Sequence, residues 1–299
     1  MDFKQIEAFV NVVRFKSFSK AADAMFFTQP TISTHISNLE SQLGVKLLDR
    51  KGRNVQMTPQ GAIFYKYAVE MINSRSQAIE ALDIGDNTIS GVVDIQTSSI
   101  PSVAFVPELL ADFRKEHNKV QFFVSVSSTG DVIDNILNRQ GEIGFVGRRD
   151  NKSDSNNGLE YTKLFSDSSV LIAPSSMNLP SEINFEEAIS YPLLWRESGS
   201  ATRSSFEDVA VSLGLDKNTF EVAGVFSDLN SIVRSVEAGL GVSIISRKAA
   251  EAVKNEKFSI VEISNFSDDR DFYLVSLRGA ILSPTARAFK DFAIERADV

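Results

Sequence analysis

The sequence predicts an α/β protein in three parts: an N-terminal winged helix-turn-helix, a long linking helix and a C-terminal two-lobed α/β domain. Three observations predict it. Charge is unevenly divided: residues 1–60 hold eight basic and five acidic side chains, a balance of +3 in a chain of net −8, leaving −11 for residues 61–299. Apolar residues recur at helical spacing to about residue 82. Beyond Gly91, short β-rich runs alternate with helical stretches, the pattern of a largely parallel sheet.

Phe3, Ile6, Phe9, Val10 and Val13 place a first helix over residues 2–14. Ser17 and Ser19 offer cap oxygens to a short second helix, Lys20–Met25. Phe26–Thr28 is a turn, and Gln29-Pro30 opens a third helix, because a proline in the first turn has no amide to leave unpaired. Ile32, Ile36, Leu39 and Leu43 stripe that helix, and Gly44 ends it. Two short helices joined by a tight turn make a helix-turn-helix. Val45–Leu48, the basic Asp49–Asn54 and Val55–Met57 form a hairpin wing. Thr58-Pro59 caps a helix running to about Leu82, with Ile63, Tyr67, Met71, Ile72, Ala78, Ile79 and Leu82 along one stripe. That stripe is longer than the small module needs, and a twin helix is its expected partner.

Val92–Gln96, Val120–Val126 and Gly144–Gly147 are strands, with helices Val103–His117 and Asp131–Arg139 between them. Tyr161–Phe165 and Ser169–Ala173 lead into a second lobe containing Phe185–Ser190, Ser200–Leu213, Phe220–Val225, Leu229–Ala238 and Val242–Ile245. Phe258–Ile263 and Phe272–Leu277 are expected to cross back, and Pro284–Arg296 closes the chain. The expected domains are 1–58, 59–90 and 91–299. Lobe I covers about 91–161 and 266–299, and lobe II about 162–265. Ligands of such domains bind beyond the carboxyl ends of parallel strands. Hydroxyl clusters occupy those positions: Thr97, Ser98, Ser99 and Ser102; Ser127–Thr129; and Ser198, Gly199, Ser200 and Thr202, with Arg148 supplying charge. Hydroxyls at helix starts suit a small anion, although such residues also serve simply as caps.

The composition excludes several function classes. With no cysteine there is no disulfide, thiolate metal site or cysteine nucleophile, and a reducing cytosol suits the chain. His35 and His117 are the only histidines, which rules out a multi-histidine metal site. No apolar run reaches membrane-spanning length, and the polar start is unlike a secretory signal. The sequence has neither G-x-S-x-G nor a P-loop. Gly239–Ser243 follows a helix and reads as the turn into the next strand. Glu186-Glu187 and Asp268-Asp269 read as solvated surface. No enzyme, cofactor or metal is expected.

The first sixty residues resemble the DNA-binding region of the LysR-type transcriptional regulators. The resemblance rests on Phe9, Ser17–Ala22, Thr28–Ser33, Ile36, Leu39-Glu40, Leu43–Val45, Leu47–Arg50 and Thr58–Gly61 at fixed spacings. Length, linking helix and acidic second domain agree, so it covers the whole chain. It implies that the third helix enters the major groove. Gln29 would face an adenine edge and Pro30 a thymine methyl, with Ser19, Thr28, Thr31, Ser33 and Thr34 against bases or phosphates and Arg50 and Arg53 reaching the backbone or minor groove. Thr34 stands where the family often has a long basic residue, and Leu48 where it has an aromatic. The C-terminal domain would resemble periplasmic solute-binding proteins, with the effector between its lobes. Sulfur-assimilation members bind small oxyanions there. The expected protein is thus a cytoplasmic regulator binding double-stranded DNA as a homodimer or tetramer. Its expected effector is a small oxyanion or carboxylate, and an activator would also contact RNA polymerase. An effector-independent regulator, or a solute-binding protein with an added helical module, are the alternatives.

Overall fold

The structure, a computed structural model, describes residues 1–49, 55–82, 89–147, 158–197, 200–216, 220–266, 268 and 270–297. It opens with α1 (Phe3–Phe15), α2 (Phe18–Ala24) and α3 (Gln29–Leu43). Each starts at a polar cap. The Asp2 carboxylate accepts from the Gln5 amide at 2.8 Å, and the Gln5 side chain accepts from the Asp2 amide at 3.1 Å. This reciprocal box satisfies two otherwise orphaned donors. Ser17 caps α2 and Thr28 caps α3, while Gly44, at φ +70°, ends α3 in the left-handed conformation. Phe9, Val12, Ile32, Ile36 and Leu39 are fully buried where the three helices meet.

The wing pairs β1 (Leu48–Asp49) antiparallel with β2 (Gln56–Met57). Its tip, with Arg50 and Arg53, lies outside the described residues. Next, α4 (Pro59–Ala81) starts at Thr58, whose Oγ1 accepts from the Gly61 amide at 3.0 Å. Only glycine fits position 61, because a Cβ there would lie 2.0 Å from the Leu47 carbonyl oxygen. The expected single stripe on α4 divides into two. Tyr65, Ala68, Val69 and half-buried Met71 and Ile72 pack into the N-terminal core, while Ile63, Tyr67, Ala78, Ile79 and Leu82 stay exposed.

The C-terminal part continues with β3 (Gly91–Ser98), α5 (Pro101–Ala104), α6 (Val106–Glu116), β4 (Val120–Ser127), α7 (Thr129–Leu137), β5 (Ile143–Val146) and β6 (Leu159–Asp167). The second lobe holds β7 (Ser169–Pro174), β8 (Glu182–Ile183), α8 (Phe185–Ala188), β9 (Leu193–Arg196), α9 (Ala201–Ser212), β10 (Val222–Phe226), α10 (Leu229–Glu237), β11 (Ser243–Ser246), α11 (Arg247–Ala252) and β12 (Phe258–Ile263). Then β13 (Arg270–Leu277) returns to the first sheet and α12 (Pro284–Glu295) packs on it. The sheets run β4-β3-β5-β13-β6 and β11-β7-β12-β8, with β9 and β10 paired separately.

Three expectations need correction. Parallel pairing holds for β4, β3 and β5 and for the pairs β9–β10 and β8–β12, but not throughout either large sheet. The returning β13 is antiparallel to both neighbours, and β7 is antiparallel to β11 and β12. The chain changes lobe at Ser168 rather than near 161, since β6 pairs with β13 through Asp167, and β12 stays in the second sheet. The expected helix 103–117 is broken at Phe105 (φ −150°). Pro107 has no amide to continue a helix and disfavours helical backbone before it. The break turns Phe105 into the core against Phe145, Phe165 and Phe272.

The N-terminal module docks on this domain through buried polar groups. Arg14 Nε lies 2.8 Å from Asp94 Oδ2. Asp94 also accepts from Gln96 Nε2 at 3.1 Å. Asn73 of α4 donates to Glu142 at 3.1 Å and to the Ile281 carbonyl at 2.8 Å, and Ser283 holds both Glu142 oxygens. Arg139 pairs with Glu70 at 2.6 Å, and Phe15 meets Phe123 edge-on. Burial raises the Asp94 and Glu142 carboxyls and pushes the Tyr65 phenol up to about 12. Burial acts to lower the Arg14 guanidinium, but Asp94, Tyr65 and Glu142 together hold it above its usual value.

Breaking one side of a buried pair strands a charge, whereas replacing both sides does not. Arg14→Met and Asp94→Leu should therefore each destabilise the full chain more than the double variant does. Urea unfolding of the four proteins should give a coupling energy of about 1–3 kcal/mol. Additive effects would show that the pair contributes nothing to docking.

Candidate functional site

Two sites stand at opposite ends of the chain. At the first, the start of α3 is presented outward: Thr28, Gln29, Pro30 and Thr34 are exposed, and Thr31 and Ser33 are half-buried. Several hydroxyls are already engaged locally. Thr28 Oγ1 accepts from the Thr31 amide at 3.3 Å and meets Thr31 Oγ1 at 2.8 Å, while Thr34 Oγ1 donates to the Pro30 carbonyl at 3.0 Å. Gln29 carries no such internal bond among the described residues, so its amide is free to meet a base edge. Ser19 is exposed on α2. His35 packs against the Phe27 ring at 5.7 Å and His117 against Phe113 at 4.5 Å, both as packed side chains.

Glu40 was legible in the motif but not in its role. Its side chain is 2% exposed and accepts from the Leu47 amide at 2.9 Å, the Leu48 amide at 3.2 Å and Lys46 Nζ at 2.7 Å. It ties the wing to the third helix. Burial works to raise its carboxyl, yet Lys46 and the two amides outweigh that and hold it below the usual carboxylate range.

The second site is a cleft of about 340 Å³ between the lobes. It gathers all three hydroxyl clusters. Ser98 and Ser99 come from the end of β3, Ser127, Ser128 and Thr129 from the β4–α7 turn, and Ser200 and Thr202 from the start of α9. The cap and site readings now separate by residue. Ser128 is a cap, accepting from the Asp131 amide at 3.2 Å. Ser200 stands at the start of α9 but makes no side-chain cap bond. Thr97 and Ser102 do not line the cleft: Thr97 donates to the Ser98 carbonyl at 3.1 Å, and Ser102 to the Ser99 carbonyl at 2.8 Å. Arg148, Ser198 and Gly199 lie outside the described residues.

Two arginines that sequence reading missed supply the charge. Arg196, 8% exposed, ends β9 and donates to Ser99 Oγ at 3.2 Å and to the Ser227 carbonyl at 3.3 Å. Arg270 starts β13 and donates to Thr202 Oγ1 at 2.7 Å and to Ser169 Oγ. The Nε of each is buried with no partner among the described residues. Ser99 and Thr202 accept from these guanidiniums, which leaves each hydroxyl its own proton to donate. Burial pulls the Arg196 guanidinium below the usual arginine value, and Glu197 and Asp228 do not make up the difference. Asp268, expected as solvated surface, has a side chain only 2% exposed; it accepts from the Ser169 amide and hydroxyl at 2.8 Å and lies 3.3 Å from Arg270. Its carboxyl is raised by burial, against the pull of Arg270. Asp269 lies outside the described residues. The one signal for Arg196 was its place just before a hydroxyl cluster, since the strand it ends is too short to show a pattern. Arg270 gave none, because an arginine inside an acid-rich run looks solvated.

A charged cleft between two lobes, joined by one long helix to a winged helix-turn-helix, defines a regulator that reads DNA and senses a small molecule. Residues 3–62 match the bacterial regulatory helix-turn-helix of the lysR family, and residues 86–298 match the LysR substrate binding domain. The chain belongs to the LysR family: it is a DNA-binding transcriptional regulator with an effector-binding domain, and not an enzyme. It is 29% identical to the HTH-type transcriptional regulator CysL of Bacillus subtilis over 89% of this chain and 88% of that one. Full-length OxyR from Pseudomonas aeruginosa, in a Cys→Asp variant, shares the fold at TM-score 0.71 and 17% identity, covering 98% of this chain and 96% of that one. The effector binding domain of QuiR in complex with shikimate superposes at TM-score 0.58 and 20% identity, covering 70% of this chain and 98% of that one.

Glu40→Gln keeps the size and removes the charge that holds Lys46 and two amides. It should cost about 1–2 kcal/mol near neutral pH, read as thermal unfolding of the full chain. Because the folded carboxyl sits low, its stabilisation is present above the unfolded value of about 4.3 and is lost as pH falls through the folded value. The gap between variant and parent should therefore close toward acid. A gap that is constant with pH would mean the charge is not what anchors the wing.

Proposed function

We propose that this regulator is switched by a small anion, a carboxylate or inorganic oxyanion, held between its lobes. The observation that carries the reading is the pair of arginines, Arg196 and Arg270, whose side chains are only 8% and 9% exposed and which line a cleft also lined with hydroxyls. Two cations held beside hydroxyl donors favour an anion between the lobes. Shikimate, bound by the QuiR domain, is itself a carboxylate. Ser98, Ser99, Thr129, Ser200 and Thr202 would donate to the ligand.

The route to DNA follows two elements that each have one end in the cleft. The strand β3 runs from Asp94 and Gln96 at the docking contact to Ser98 and Ser99 in the cleft. The helix α7 starts at Thr129 in the cleft and carries Asn135, which donates to Gln96 Oε1 at 3.1 Å. Closure of the lobes on an anion would move both and so shift the module docked through Arg14. A ligand achieves this only through unequal affinity for the two arrangements. The exposed residues Ile63, Tyr67 and Ile79 on α4 and Leu82 just after it suit pairing with a second copy. Two copies would place two recognition helices on successive turns of DNA. We place the domain boundaries near 58 and 90, and the protein in the cytoplasm, where its DNA is; an activator would contact RNA polymerase.

Thermal unfolding against sulfate, sulfite, thiosulfate, phosphate, shikimate and simple carboxylates tests the effector class. A ligand at 100 times its Kd should stabilise by about 2.7 kcal/mol. The shift should vanish in Arg196→Gln or Arg270→Gln variants whose unliganded melting is near that of the parent. A flat panel would favour the effector-independent reading.

On the DNA side, Gln29→Ala should cost roughly 1–3 kcal/mol on the operator and little on random duplex, measured by fluorescence anisotropy. Equal loss on both would reduce Gln29 to a structural residue.

A further inference from the structure

The turn before the recognition helix contains a residue that folding alone does not favour. The helix α2 ends with the Phe27 amide donating to the Ala22 carbonyl at 2.9 Å and the Phe26 amide to the Asp23 carbonyl at 3.2 Å. Those two bonds are the Schellman pattern, in which the residue after the cap turns left-handed and is usually glycine or asparagine. Here that residue is Phe26, at φ +56°. A bulky side chain at positive φ is strained. The next residue, Phe27, makes the motif's usual apolar contact, packing into the N-terminal core. Phe26 contributes nothing to that core: it is 94% exposed, the most exposed large apolar side chain among the described residues.

Its position suggests what it meets. Gln29 follows Phe26 by three positions, so their backbones lie within about 11 Å. Thr28, Gln29 and Pro30 are exposed at the same end of α3. In a helix-turn-helix this end faces the major groove. The apolar feature offered there is the C5-methyl of thymine, which aromatic side chains contact. We propose that Phe26 is a specificity-determining residue that packs on a thymine methyl at the edge of each half-site. The strain and the exposure then have one common cause. A polar left-handed residue would satisfy the turn and lose the contact.

The test uses the full chain and a duplex recovered by selection from a random pool. Phe26→Asn and Phe26→Gly relieve the strained backbone, so both should melt at or above the parent temperature. Their affinity for the selected duplex should fall about tenfold, with affinity for random duplex unchanged. Deoxyuridine, which lacks only the methyl, is then placed at each thymine in turn. One thymine per half-site should matter to the parent protein and not to either variant. The proposal is overturned by unchanged operator affinity, by equal loss on random duplex, or by no methyl whose removal the parent senses and the variants ignore. Variants that melt lower than the parent would overturn it as well, because the strain argument would then be wrong.

Discussion

The ion pair between Arg14 and Asp94 sits where neither charge would be stable alone. Both side chains are largely withdrawn from water, and Glu142, Tyr65 and Asn73 surround them. The pair fixes how the DNA-reading module meets the effector domain. Alternative dockings would leave Asp94 and Glu142 buried without their partners, at a cost of several kcal/mol. Apolar docking surfaces would tolerate sliding. Charges with defined hydrogen bonds do not, so the orientation of α1 and α4 on the first sheet is specified by chemistry more than by area.

The cleft repeats this logic in a looser form. Arg196 reaches across from the second lobe to Ser99 of the first, and Arg270 holds Thr202 and Ser169 from the strand that returns to the first sheet. The lobes are thus already linked through hydroxyls. Each guanidinium still keeps a donor without an acceptor. The charges lining the cleft are thus fixed by the protein's own hydrogen bonds before any ligand arrives.

The N-terminal module shows how a small domain is kept rigid. Capped helix starts fix each helix end, Glu40 anchors the wing, and Gly61 lets α4 approach Leu47 closely. Left-handed non-glycine backbone occurs in this module at Lys16, which ends α1, and at Phe26, in the turn before α3.

The sequence by itself determined the local elements and the architecture. The caps at Ser17, Thr28 and Thr58, the glycine at 44 and the apolar periods of the helices are short-range signals, and they placed α1 to α4 within a residue or two. The alternation of strands and helices gave the two-lobed domain, and the strand-end rule brought Ser98, Ser99, Thr129, Ser200 and Thr202 to one cleft. Tertiary structure decided the rest, because the remaining facts join residues far apart in the chain. Arg14 meets Asp94 and Asn73 meets Glu142 only after three segments pack together. Arg270 and Asp268 sit in an acid-rich run that looks solvated until β13 returns to the first sheet beside Ser169. The strand β9, too short to carry a pattern of its own, became visible through its pairing with β10, and with it Arg196. Periodicity reports what a residue does for its own helix or strand, whereas burial of a charge depends on which distant partner arrives to compensate it.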